Sequence, residues 1–141
     1  MIKGYLFDYG GTLDTAGCHW GQKLWHTYQR RQVPVTEQQF RDAYVYGERY
    51  LGNNPIIRPT DTFHHTLDVK LRLEMEYLCA HGWDADEEEF HRLHDIVLED
   101  VYRQVIETTT HSAKVLTELQ KKYPMVLVSN FYGNIATVLK E

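Results

Sequence analysis

Cysteine is scarce in this chain: Cys18 and Cys79 lie far apart and form no Cys-x-x-Cys spacing. Neither a zinc site nor a disulfide framework is indicated, and a reducing cytoplasm is the expected compartment. Positive charge is also in short supply, with 15 Lys and Arg against 20 Asp and Glu and a net charge of -5. That balance argues against nucleic acid or an anionic membrane as partner, because both need a basic face to displace counterions. Long apolar runs are missing too. The opening "MIKGYLF" is too short for a secretory h-region, and no later run is long enough to span a bilayer. Repeats and low-complexity tracts are absent. What remains is a chain of 141 residues, 43% of them hydrophobic, enough for one domain with a buried core.

The texture changes twice along the chain. "KGYLF" (3–7) is a short apolar run closed by Asp8, Tyr9, Gly10 and Gly11, which suits a buried strand ending in a glycine-permitted turn. The next ninety or so residues read as four helices. Trp20, Leu24 and Tyr28 fall four apart, and a helix there stops near "QVPV". Thr36 with Gln39 forms a capping box for a helix ending at Gly52. The pattern from Thr62 to His81 has Gly82 as its C-cap. Asp86 opens the fourth, where Glu87, Glu88 and Glu89 suit the positive end of the helix dipole. Then "SAKVLTELQKKYP" (112–124) reads as a separate helix, "MVLVSN" (125–130) as a strand ending in two polar residues, and "NIATVLKE" as a final helix.

This is a β-α-β-α pattern with a helical block in its first crossover. Two parallel strands joined that way bring their carboxyl ends together, and ligands of open α/β sheets bind there. Asp8, Ser129 and Asn130 are therefore expected to share one crevice. Gly10 and Gly11 would free backbone N–H groups, and Thr12, Ser129 and Asn130 add small donors that suit a phosphate. A carboxylate aimed at phosphate is a metal ligand or a nucleophile.

"FDYGGTLD" (7–14) resembles the first motif of the haloacid dehalogenase superfamily of hydrolases, and "VLVSN" (126–130) resembles the second. The helical block between them matches a cap domain inserted after the first motif, so the resemblance covers the whole chain. It implies an α/β fold: a partial Rossmann-like core of parallel strands (1–15 and 109–141) with an all-helical cap (16–108). Asp8 corresponds to the nucleophile and Thr12 to the residue that orients the first motif. Ser129 corresponds to the phosphate-oxygen donor and Asn130 to its neighbour. Gly10, Gly11, Ser129 and Asn130 then bind substrate phosphate. Asp8 and the Gly10 carbonyl hold Mg2+ in a phosphatase-type enzyme; a dehalogenase-type enzyme needs no metal. The partner implied is a small phosphorylated or halogenated metabolite.

The chain departs from that pattern at Gly10, where phosphatase members carry an aspartate as general acid. A positioned acid contributes about 100- to 10,000-fold in rate. Dehalogenases do without it because a halide leaves unprotonated, and they need a cap arginine, for which Arg30, Arg31 and Arg41 are candidates. Phosphonoacetaldehyde hydrolases use a cap lysine as a Schiff base, and no lysine lies between Lys23 and Lys70. A phosphatase taking its acid from His19 or His26 is a further alternative. The lysine and acidic pair that follow the second motif in the family have no counterpart before Glu141. The expectation is therefore the N-terminal part of a longer catalytic unit, a truncated product, or a chain that must pair with another, with little or no turnover of its own.

Two other classes stay open. One is a non-catalytic relative that binds phosphate or a protein partner. The other is a metal-binding helical bundle, suggested only by Glu88, His91 and His94 at three-residue spacing; a solvated acidic helix face is the plainer expectation there. Tyr44, Tyr46 and Tyr50 are expected in the cap core and its interface, and His64 and His65 at a solvent-facing helix start. Substrate and oligomeric state are not encoded in any pattern recognised.

Overall fold

The computed structural model describes residues 1–141, of which 62% are helical. In chain order it has β1 (Tyr5–Phe7), a tight turn of π-helical type (Tyr9–Leu13), α1 (Trp20–Arg30), α2 (Glu37–Asn53) and α3 (Phe63–Ala80). α4 (Glu87–Leu119), β2 (Met125–Leu127) and α5 (Ile135–Val138) follow. The expected Rossmann-like α/β core is overturned: the only sheet is β1 paired with β2, three residues each. Two such strands cannot bury both faces of a parallel sheet. Leu6, Val126 and Val128 are 79%, 54% and 64% exposed.

The helices do the burying. Leu24 and Tyr28 of α1, Phe40 and Ala43 of α2, Leu67, Leu71 and Met75 of α3, and Val97, Val101 and Val105 of α4 form one cluster. Their spacing of three and four puts them on one face of each helix. The starts follow the sequence signals. Thr36 and Gln39 form the reciprocal capping box, while Thr62 and Asp86 accept from the N–H groups of His65 and Glu89. Gly82, just beyond α3, takes the left-handed φ of +106° that favours glycine.

One long helix replaces two expected ones. α4 runs unbroken through Thr108–Ser112, so the expected cap boundary near residue 108 falls inside it. The run "TTTHS" looks like a break because threonine is a weak helix former. Here each hydroxyl bonds back into the helix: Thr108 to the Gln104 carbonyl, Thr109 to Val105 and Thr110 to Ile106, at 2.9, 2.9 and 2.7 Å. The far end of α4 reaches the turn after β1, where Ser112 Oγ donates to the Leu13 carbonyl at 2.8 Å.

The final helix starts at Ile135, within the expected "NIATVLKE" segment, but ends at Val138 and is shorter than expected. The buried Asn134 fixes its approach. Its Nδ2 donates to the Asp61 carbonyl and to Thr66 Oγ1, both at 2.8 Å, pinning this segment to the start of α3. No helix is long and apolar enough to cross a membrane.

Candidate functional site

β1 and β2 are parallel, with Phe7 opposite Leu127 and the Val128 N–H donating to the Phe7 carbonyl at 2.8 Å. The next residue on β1 is Asp8 and the next but one on β2 is Ser129, so the two chain segments leave the sheet side by side. Asp8 is exposed, and its Oδ1 accepts from the Tyr9 N–H at 2.8 Å. Ser129 Oγ is enclosed without a hydrogen-bond partner, which leaves its donor capacity available. Asn130 is exposed, as is Thr12, whose carbonyl accepts from the Gly17 N–H at 3.2 Å.

The turn after Asp8 is held differently from the expectation. The Gly11 N–H, expected to be free for an anion, donates to Asp14 Oδ1 at 2.7 Å. Trp20 Nε1 donates to the other oxygen of Asp14 at 2.9 Å. Asp14 is fully buried, and desolvation raises its pKa although these hydrogen bonds oppose the shift. A carboxylate of the chain thus occupies the inside of the loop. Gly11, at φ +79°, gives the loop its sharp reversal.

Gly10 and Asn130 form one side of a cavity of about 330 Å³ whose other walls come from α1, α2, α3 and the segment after β2. Its apolar surface is largely aromatic: Trp20, Tyr44, Phe63, Phe131 and Tyr132. Asp8 itself does not line it. The polar wall is the ion pair of Lys70 on α3 with Glu48 on α2. Tyr132 OH donates to the same Glu48 oxygen at 2.9 Å, and Lys70 Nζ lies 4.6 Å from the Tyr44 ring centroid. Burial alone would lower the Lys70 pKa. The surrounding Tyr132, Glu48, Glu74 and Tyr44 outweigh it and hold the ammonium well above its usual range.

Behind this pair sits Glu74, fully buried, accepting from Tyr28 OH at 3.3 Å through Oε2 while Oε1 has no partner. Burial pushes its carboxyl up to about 7, against the pull of Lys70. Gly47 allows α2 to pass close by, since a Cβ there would lie 3.2 Å from Glu74 Cγ.

Several candidates lie elsewhere. His19 caps α1, its Nδ1 accepting from the Gly21 N–H at 3.1 Å, and with the exposed His26 it lines a separate cavity between α1 and α2. Arg30 and Arg31 pair with Asp100 at 3.1 and 2.5 Å, and Arg41 pairs with Glu37 at 3.3 Å. None of these arginines lines the Gly10–Asn130 cavity. His91 is exposed as expected, but His94 is buried, with Nε2 3.2 Å from Asp68 Oδ1 and Nδ1 3.0 Å from Asp95 Oδ1. It sits on the inward face of α4, stacked parallel to Phe90, so the solvated face expected for residues 88–94 stops short of it. His64 is half-buried rather than solvent-facing, bonded to Glu99 at 2.7 Å, whereas His65 is exposed. Of the three tyrosines, Tyr44 lines the cavity, while Tyr46 is exposed, stacks on Tyr77 at 4.8 Å, and with Tyr50 lines a separate depression.

A hard divalent cation prefers oxygen donors and keeps several waters. The exposed Asp8 carboxylate and the Gly10 carbonyl are such donors, and Gly10 has open space on its Cβ side. Asp14 is already committed to Gly11 and Trp20.

The residues that sequence reasoning missed are Asp14, Glu48, Lys70 and Glu74. A signal existed on α3, where Thr66, Lys70 and Glu74 fall four apart on a face that also carries Leu67 and Leu71, all buried. Charged residues on a buried stripe need partners. No protein-family model, curated protein or solved structure matches the chain.

Proposed function

We propose that the chain is a hydrolase of the haloacid dehalogenase type, acting in the cytoplasm through an aspartyl intermediate on a small phosphorylated metabolite. The observation that carries this is the parallel pairing of β1 and β2, which sets Asp8 beside Ser129 with an unpartnered Oγ. The Asp8 carboxylate attacks phosphorus, the bond to the leaving oxygen breaks, and water then hydrolyses the acyl phosphate to restore the carboxylate. Ser129 Oγ donates to a phosphate oxygen, and Asn130 orients the group at the cavity edge. The Asp8 carboxylate and Gly10 carbonyl would hold Mg2+, which would supply charge neutralisation.

Gly10 has no proton to give, and the titratable groups of the cavity wall are poorly matched to the task. Desolvation raises the Tyr132 hydroxyl far above its usual range, and Lys70 is likewise held protonated. Substrates whose leaving group departs without protonation are therefore favoured. Lys70 does reach the cavity, but a Schiff-base lysine requires a lowered pKa, and this one is raised. The commitment of Arg30, Arg31 and Arg41 to other carboxylates favours phosphate over a halogenated acid.

The test is ¹⁹F NMR of the full chain with beryllofluoride and Mg2+. A bound fluoride signal in the wild type that vanishes in Asp8→Asn is expected. No signal, or one that survives the substitution, overturns the reading.

A further inference from the structure

The aromatic cavity has a chemistry of its own. Glu48 uses one oxygen, Oε1, for both Lys70 and Tyr132, and its Oε2 has no protein partner. Lys70 Nζ carries three donors, one of them used on Glu48, and it lines the cavity with its side chain 7% exposed, which leaves donor capacity for a guest. An acceptor and a donor therefore stand next to each other on one wall, between the rings of Tyr44, Trp20 and Tyr132. The pair is close to neutral, which disfavours a second anion and favours an uncharged polar group. Flat aromatic walls favour a flat guest, and about 330 Å³ falls at the lower end of the range for small-molecule sites.

We infer that this cavity binds an uncharged planar heteroaromatic ring carrying an N–H donor beside a carbonyl acceptor, the N–H facing Glu48 and the carbonyl facing Lys70. The inference rests on the proposed function for its place in catalysis. The ring is the part of the substrate that does not react, and the phosphoryl group lies toward Gly10 and Asp8. Glu48 and Lys70 are thus specificity-determining residues.

Saturation-transfer NMR and calorimetry on the full chain test it with uridine, which has the ring edge and no phosphate. N3-methyluridine, which lacks the donor, and ribose 5-phosphate, which lacks the ring, are the comparisons. Uridine is expected to bind about tenfold or more tightly than N3-methyluridine, as loss of a charge-assisted hydrogen bond implies. Ribose 5-phosphate gives no ring-dependent signal. Equal binding of uridine and N3-methyluridine, or no binding of uridine, overturns the inference.

Glu48→Gln leaves a buried ammonium without its counter-charge, so Gly52→Leu serves as the second variant. Gly52 lines the cavity one helical turn beyond Glu48 with nothing within 4 Å of its Cβ position, and leucine there takes up cavity space while both charges of the ion pair are kept. Uridine binding lost in a folded Gly52→Leu protein is expected; binding unchanged overturns the assignment to this cavity. Asp8→Asn separates the two proposals. It removes the beryllofluoride signal if the proposed function holds and leaves uridine binding intact if this inference holds.

Discussion

The helical body and the two-stranded corner are built on opposite terms. In the body, apolar side chains at three- and four-residue spacing are fully enclosed, and charges among them are paired, Asp100 with Arg30 and Arg31 and Lys70 with Glu48, although the buried Glu74 keeps one oxygen unpartnered. In the corner, Leu6, Val126 and Val128 face water, Asp8 is exposed and Ser129 Oγ lacks a partner. Stability resides in the first region and the chemically available groups in the second. Rigid packing holds the platform, while the Asp8 carboxylate, bonded to the neighbouring Tyr9 N–H, and the Ser129 hydroxyl keep capacity for a ligand.

The sharpest way to break that division is to open the body. Leu71 on α3 is fully buried, and Leu71→Ala is expected to cost about 2–5 kcal/mol, from lost transfer energy and the cavity left behind. Urea unfolding followed by circular dichroism measures it. A cost below about 1 kcal/mol would mean the body is looser than its packing indicates.

Next comes the joint between the regions. Asp14→Ala removes the acceptor for the Gly11 N–H and the Trp20 indole together, and an expected loss of about 1–3 kcal/mol follows from stranding these donors. The same variant should broaden the amide resonances of Gly10 and Gly11 in NMR spectra. Resonances that keep their wild-type positions and widths would show that the turn is held by something other than Asp14.

A smaller effect separates the charges of the body by pH. Glu74, whose folded pKa is about 7 against 4.5 for the free side chain, keeps its proton on folding over that interval. Its contribution is complete below about pH 4.5, falls as pH rises toward 7, and levels off above. Asp100 has the opposite sign. Desolvation acts to raise its pKa, but Arg30, Arg31 and Gln104 bring it down to about 2, so its stabilisation is present above the usual carboxylate range and lost as pH falls through 2. Urea midpoints between pH 5 and 8 should decline for the wild type and decline less for Glu74→Gln. Parallel pH profiles would rule out Glu74 as the source.

The two regions also differ in how far the sequence revealed them. Helix starts were legible because capping is local: Thr36 with Gln39, Thr62 and Asp86 each bond within three residues. The parallel pairing of "YLF" with "MVL" followed from pattern and crossover logic. The class of the fold did not, because a strand–helix–strand pattern fixes connectivity and not how much sheet there is to bury. The joining of two expected helices into α4 was hidden by Thr108, Thr109 and Thr110, whose back-bonds to the helix are invisible to propensity. Glu48 and Lys70 are 22 positions apart and Tyr132 and Glu48 are 84, separations that no local signal reports.

The smallest expected effect lies in the corner, and it is the counterpart of the Leu71 test. Leu6 sits at the centre of β1, where a residue of a covered parallel sheet would be enclosed, yet it is 79% exposed. Truncating it removes little apolar area from contact with protein, so Leu6→Ala should change stability by no more than about 0.5 kcal/mol. The same leucine-to-alanine change thus differs several-fold between α3 and β1 because of burial alone. A loss of 2 kcal/mol or more at Leu6 would mean that its face of the sheet is covered in solution, as by a second copy of the chain. That cost would then depend on protein concentration, which unfolding at two concentrations distinguishes from a contact made within one chain.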